Sequence, residues 1–173
     1  MGAETPRTAI VVVSWNHGRF LTDCFAAVER AGLAPGFATL MIVDNASPDG
    51  SGDFIARELL SPDGASTKGG FPCRFFKNAD NFGFSGGNNQ AMRLALEEGY
   101  DYVYLLNPDT EAQPGFLEEA LRVAEADPAI ARLLHDIFAA TPPSGRGSWA
   151  RVLVDELGPR TYIDLSGLTV PAL

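Results

Sequence analysis

The chain alternates between two hydrophobic periods, and that alternation constrains its fold more than any other feature. Residues 8–14 (Thr-Ala-Ile-Val-Val-Val-Ser) are a largely β-branched run, as expected of a strand buried on both faces of a parallel sheet. Residues 20–31 then carry Phe20, Leu21, Cys24, Phe25 and Val28 at helical spacing, with Gly32 placed to stop the helix. A second strand is expected at 39–44, ending in the turn-rich run 45–51, which can cap a helix over 53–60. Residues 61–72, rich in Gly, Ser and Pro, read as a surface loop, and 73–77 as a short strand. A glycine- and asparagine-rich loop at 81–89 leads into a helix ending near Gly99, with Ala91, Leu94 and Ala95 on one face. The apolar run that begins at Tyr102 predicts the fourth strand, and it stops at Pro108. Pro114-Gly115 opens a helix through about residue 126 with Leu117, Leu121 and Ala124 inward. Successive strand–helix repeats imply an α/β fold, with a doubly wound, mostly parallel sheet, flanking helices and right-handed crossovers.

Beyond residue 130 the pattern changes. Residues 130–138 suit a helix, 141–147 are a Pro/Gly/Ser linker, and 148–173 hold only weak strand-like runs such as 151–154. No internal repeat is present. A length of 173 residues fits one domain with a real core, and 46% hydrophobic with 20% charged residues is a globular composition. The net charge of −9 argues against a nucleic-acid backbone or an anionic membrane surface as the main partner. It still admits small anionic ligands, because a metal or helix N-termini can supply local positive potential. Cys24 and Cys73 form no CxxC and have no histidine cluster near them, so two buried thiols are expected. Residues 1–7 lack the apolar segment of a signal peptide, and no run reaches the roughly 18 apolar residues of a membrane span. The expectation is a soluble, cytoplasmic protein with no transmembrane segment.

Polar clusters follow the strands: Ser14-Trp15-Asn16, Asp44-Asn45, Asn81 to Asn89, and Asn107-Pro108-Asp109. In a parallel sheet such positions share one edge, the edge where ligands of these folds bind. Asp44 is suited to accept hydrogen bonds from a base N–H or from ribose hydroxyls, in competition with a capping role that Asp49 fills better. Asn45 and Ser47 are expected to cap the turn themselves. Gly83, Gly86 and Gly87 would let a ligand pass close to the backbone ahead of a helix N-terminus, with Asn81, Asn88 and Asn89 beside them. Asp109 offers a hard oxygen suited to Mg²⁺ or Mn²⁺, in competition with a helix-cap role. Trp15 reads most simply as packing. His17 and His135 have no partners in sequence, and Glu118-Glu119 reads as a charged helix face.

Four blocks taken together resemble family 2 glycosyltransferases. They are Val11-Val12-Val13-Ser14-Trp15-Asn16, Val43-Asp44-Asn45-Ala46-Ser47-Pro48-Asp49-Gly50-Ser51, Asn81-Phe82-Gly83-Phe84-Ser85-Gly86-Gly87-Asn88-Asn89 and Leu105-Leu106-Asn107-Pro108-Asp109-Thr110. Their order and spacing, over about residues 8–130, are closest to a bacterial rhamnosyltransferase-like subgroup that builds surface polysaccharides. The resemblance implies a GT-A fold, a nucleotide-diphosphate sugar donor and a glycan or lipid-linked acceptor. It also implies a divalent metal, Mg²⁺ or Mn²⁺, on the donor's diphosphate. Carried over by position, Ser14, Trp15 and Asn16 would lie near the nucleotide and Asp44 on its base or ribose. The stretch containing Asn81, Gly83, Gly86, Gly87, Asn88 and Asn89 would border nucleoside and sugar. Asp109 would take the metal, with Asn107 standing where the family's motif has its first carboxylate. A lipid-linked acceptor would place such a protein at most peripherally, at the inner membrane face.

An inverting member also needs a carboxylate base to deprotonate the acceptor hydroxyl. In the family that base lies downstream of the metal motif, in a segment with no counterpart visible here. Asp155-Glu156 is the only adjacent acidic pair in the tail, and the catalytic base stays unassigned. The reading is therefore a GT-A donor-binding portion at 8–130 and an atypical tail at 131–173, in a chain shortened or altered beyond about residue 131. Such a chain would expose apolar sheet surface and favour self-association. The alternative is a nucleotide-sugar-binding module that transfers nothing. An NAD-binding domain is disfavoured, because the turn after the first strand, Asn16-His17-Gly18-Arg19, lacks GxGxxG.

Overall fold

Among the described residues five strands make one sheet, all neighbours parallel: β1 (Thr8–Ser14), β2 (Ala38–Asp44), β3 (Cys73–Lys77), β4 (Tyr102–Leu105) and a two-residue β5 (Tyr162–Ile163). Their spatial order is β3-β2-β1-β4-β5. The computed structural model of the chain describes residues 6–126 and 162–163. The helix expected at 130–138, the linker at 141–147, the run at 151–154, His135 and the Asp155-Glu156 pair lie outside the described residues, as does the side chain of Ala124.

β1 occupies the middle of the sheet, and all seven of its residues are buried. Its alternating side chains supply two cores. Ile10 and Val12, with Leu40 and Ile42 of β2, pack on one face against α1 (Gly18–Arg30), through Leu21, Phe25 and Val28. The same face takes Ile55 and Leu59 from the helix after β2, and Leu117 and Leu121 from α4 (Phe116–Ala126). Val11 and Val13, with Met41 and Val43, meet Ala91, Met92 and Ala95 of α3 (Gly83–Glu97) on the other face. Burying each such branched side chain contributes about 1.5–3 kcal/mol, so the two layers lock the sheet from both sides.

The chain steps outward from β1 to β2 to β3, then returns across β1 to β4. Crossovers of one hand must change face when the direction of travel changes. That is why, among the described residues, α3 covers the second face while α1 and the helix after β2 cover the first. The reversal leaves a switch point between β1 and β4 at their C-terminal ends, where open α/β sheets take their ligands. β4 stops level with Val11, and Leu106 N–H donates to the Val11 carbonyl at 2.9 Å. Residues 107–110 therefore begin below the rim formed by β1 and β2.

Three elements differ from the sequence expectation. The helix after β2 starts earlier and is not uniform: α2 (Ser51–Phe54) widens directly into a π-helical turn (Ile55–Leu59). Residues 61–72 are not a plain surface loop. They fold back through bridges Leu60↔Thr67 and Ser66↔Pro72, and the buried Thr67 hydroxyl donates to Glu29 of α1. A helix carboxylate thus supplies the polar partner that lets this loop pack inward. Most consequentially, Gly83 to Asn89 are the first two turns of α3 rather than a loop before it.

Gly87 explains why glycine is used there. A Cβ on it would lie 2.8 Å from Val13 Cγ1, so the helix reaches the sheet only because the side chain is missing. Gly87→Val should lower stability by about 1–3 kcal/mol through overpacking. Thermal unfolding of Gly87→Val beside the exposed control Glu97→Ala checks this, and an unchanged midpoint for Gly87→Val would refute the close-approach argument.

Candidate functional site

Ser14, Asp44 and Lys77 occupy one register across β1, β2 and β3 at the C-terminal ends of these strands. In a strand, alternate residues share a face, so all three side chains leave on the α1 and α2 side, continuing Val12, Ile42 and Phe75. Ser14 and Asp44 are completely buried. Asp44 Oδ2 accepts from Ser47 N–H at 3.4 Å, while Asp44 Oδ1 and Ser14 Oγ are buried without any partner. An ionised carboxylate can accept at about four positions, so most of this one's capacity is unused. Gly52 of α2 presses on the same group: a Cβ there would collide with Asp44 Oδ2 and meet Lys77 Cε at 3.0 Å. The Lys77 ammonium itself pairs with Asp53. Lys77 is brought alongside Asp44 only by the pairing of β3 with β2.

Asn45, the next residue, points the opposite way, toward α3. Its Nδ2 donates to Asn81 Oδ1 at 2.8 Å and to the Gly83 carbonyl at 2.9 Å. Its Oδ1 accepts from Asn78 Nδ2 at 3.2 Å and from Phe82 N–H at 3.1 Å. The expected self-capping of the turn is therefore replaced by a clasp on the segment before α3. Ser47 also reaches across, accepting from Asn16 N–H at 2.9 Å, and Ser51 Oγ accepts from Gly18 N–H at 3.0 Å. Asp49 does take the local turn role foreseen for it, accepting from Ser51 N–H at 2.9 Å. Hydrogen bonding to Ser51 holds its carboxyl below the usual range.

Asn16 and Ala46 are the only non-glycine residues with positive φ among the described residues, at 61° and 59°. Each sits in the turn just after a site strand, where a strained backbone is held by surrounding bonds. Trp15 is 47% exposed and is not a packing residue as expected. His17 is not alone either: its Nδ1 accepts from Trp15 N–H at 3.4 Å and its ring lies 5.9 Å from Phe20. With Phe82 and Phe84, which are also exposed, Trp15 leaves aromatic surface at the sheet's C-terminal edge.

The third block is divided in its tasks. Asn81 is exposed, and its Oδ1 also accepts from Gly83 N–H at 2.8 Å. Gly83 enters α3 at φ +72°, a conformation glycine adopts without penalty. Gly86 and Gly87 serve close approach instead: a Cβ on Gly86 would meet Phe82 Cβ at 2.6 Å. Asn88 is buried and donates back to the Phe84 carbonyl at 2.8 Å, and Asn89 Oδ1 is buried without a partner.

Asn107 and Asp109 lie across the switch point from Ser14, after β4. Asn107 is half-buried, and its carbonyl accepts from Thr110 N–H at 3.1 Å and from the Cys24 thiol at 3.8 Å. Asp109 is exposed. The bonds above join the first three blocks to one another, whereas the fourth is fastened to α1 and β1. Burial, and then the negative charge of Asp109, push the Cys24 thiol up to about 12. Among the described residues no group of three or more His, Cys, Asp or Glu is placed to hold an ion unaided.

A doubly wound parallel sheet that turns at β1 and β4, with its polar residues gathered after the strands, defines a GT-A-like α/β fold. The model for glycosyl transferase family 2 matches residues 9–160. The chain belongs to that family, and so to the glycosyltransferases, generally inverting enzymes that take a nucleotide-sugar donor and an acceptor. No curated protein matches it. No helix among the described residues is long and apolar enough to cross a membrane.

The Cys24 shift has a measurable consequence. Its thiol keeps its proton in the folded state above the ordinary value of 9.0, so stability is full below pH 9 and falls as pH rises toward about 12. Alkylation of Cys24 at pH 8, read by peptide mass spectrometry, should be far slower in the native chain than in the unfolded one. Equal rates would contradict the burial of this thiol.

Proposed function

We propose that the chain binds a nucleotide-diphosphate sugar across the switch point and transfers its sugar to a glycan or lipid-linked acceptor. The observation that carries this reading is Asp44, a fully buried carboxylate with one oxygen free of any protein partner. A buried acceptor left open costs about 1–3 kcal/mol, which a ligand's N–H or hydroxyl donor would offset. Asp44 therefore receives the base or ribose, with the unpartnered Ser14 hydroxyl beside it in register. Trp15 and Asn16 border the nucleotide from the end of β1, and the start of α3 with Gly83 and Asn89, held in place by Asn81, borders it from the far side.

Asp109 and Asn107 fit a divalent ion shared with a diphosphate. One exposed carboxylate and one amide are too few ligands for a protein cage, but they suit Mg²⁺ or Mn²⁺, which keep waters and take substrate phosphate oxygens. Bound there, the ion would neutralise charge on the departing diphosphate. The protein, at net charge −9, offers the diphosphate little positive potential of its own. In the transfer, the acceptor oxygen bonds to the anomeric carbon as the bond from that carbon to the diphosphate oxygen breaks. The electron pair leaves with the nucleoside diphosphate, and the acceptor's proton passes to a general base. Rhamnose is the sugar favoured by the resemblance of the motif blocks, with surface polysaccharide synthesis at the cytoplasmic membrane face as the setting.

Calorimetric titration of UDP and dTDP with and without Mg²⁺ tests the binding. Affinity should rise about tenfold or more with metal, and Asp109→Ala should erase that difference. Asp44→Ala should weaken binding on the order of tenfold in both conditions, as loss of a hydrogen bond to a charged group does. Equal affinity with and without metal would remove the role given to Asp109. Product formation from a donor panel with a lipid-linked acceptor separates a transferase from a module that only binds donor.

A further inference from the structure

We infer that Asn45 is a positioning residue, a buried amide that holds two parts of the nucleoside side of the site at a fixed separation. The inference rests on the nucleotide reading above. Asn45 is almost as buried as Asp44, but unlike Asp44 it leaves no side-chain atom open to a ligand. Its side chain is instead used to capacity. A primary amide has two N–H donors and an oxygen that accepts twice, and Asn81, Gly83, Asn78 and Phe82 fill all four positions. One side chain thus ties the end of β2 to the whole run 78–83. Asn81 doubles the tie, since the oxygen that accepts from Asn45 also accepts from Gly83 N–H.

The clasp bears on the ligand because Asp44 and Asn45 are consecutive. Asn45 N–H donates to the Ser14 carbonyl at 2.8 Å, and the Asp44 carbonyl accepts from Asn78 N–H at 2.9 Å. With Asn45 anchored on the α3 side, the peptide before it is fixed, and the Asp44 carboxylate is aimed on the α2 side. The same anchor sets where Gly83 starts α3, close against Val13 through Gly87. Asp44 and the α3 entrance are thereby parts of one rigid cradle rather than two independent turns. Aspartate cannot replace Asn45, because it has the same shape but no donors. Its carboxylate would face two acceptors, Asn81 Oδ1 and the Gly83 carbonyl.

The test is titration of UDP and dTDP, with and without Mg²⁺, into the full chain and its Asn45→Asp, Asn81→Ala and Asn81→Asp variants, with thermal unfolding of each. Asn45→Asp should weaken the better-bound nucleotide on the order of tenfold, the equivalent of one or two lost hydrogen bonds. Asn81→Ala should weaken it severalfold. Asn81→Asp keeps an acceptor for both of its bonds and should recover most of that loss. The ratio of affinities with and without Mg²⁺ should stay at the wild-type value in every variant, since the metal side is held by other bonds. Asn81 is exposed, so Asn81→Ala and Asn81→Asp carry the test even if Asn45→Asp does not fold. Wild-type affinity in Asn45→Asp and Asn81→Ala overturns the inference. So does an Asn81→Asp no better than Asn81→Ala, which would mean that Asn81 meets the ligand directly, and so does a metal ratio that collapses along with affinity. A wild-type chain that binds neither nucleotide overturns the nucleotide reading itself, and the inference with it.

Discussion

Burial of β1 on both faces is the constraint from which the rest follows. With all seven residues inside, its backbone polar groups must pair with β2 and β4, and its side chains must alternate between the α1 face and the α3 face. That demand makes the molecule three layers thick. It also governs the rim, because alternation does not stop where the apolar residues do. Ser14 and Asp44 leave on the first face, and Asn45 on the second. The division between an open carboxylate and a fully bonded amide is the strand period of two carried one residue past the core.

Polarity at the rim is distributed unevenly. Asn45 has every bonding position filled, whereas Asp44 and Ser14 each keep a buried atom without a partner. A satisfied network rigidifies, and an unsatisfied group costs stability until something binds. The two conditions sit on adjacent residues, which is the arrangement a preorganised site requires. Charge follows a similar division. The Lys77 ammonium is spent on Asp53 at the surface, where such a pair adds little, so Asp44 keeps its open oxygen. Across the switch point Asp109 stands exposed, its field felt by the buried Cys24.

Much of this is legible in the amino-acid sequence. β1 and β3 fall at the residues their composition marks, β2 and α4 within one or two, and Leu117 and Leu121 face inward as their spacing requires. Strand-end polar residues come to one edge because parallel strands must share one. The misreadings have physical causes. Gly83, Gly86 and Gly87 look like a loop because glycine is a poor helix former. They start a helix because two of them stand where any Cβ would strike Phe82 or Val13. Trp15 looks like core and is exposed, since it falls after the strand has ended. Asn45 and Ser47 look like turn caps, the local use of such side chains, and both side chains bond instead to residues 31 to 38 positions away.

Hydrophobic period and turn chemistry are local properties of the chain, so the layers, the parallel pairing and the kinds of residue after each strand could be read from its residues directly. The sequence also carried, in four ordered blocks, the resemblance to the family to which the chain belongs. Tertiary structure alone decided which of those residues are spent on one another and which are left open. Lys77 comes beside Asp44, and Asn45 grasps Asn81, only when β3 pairs with β2 and α3 settles on the opposite face. Hydrogen-bond capacity is fixed by residue type, but whether it is used depends on neighbours that only folding supplies.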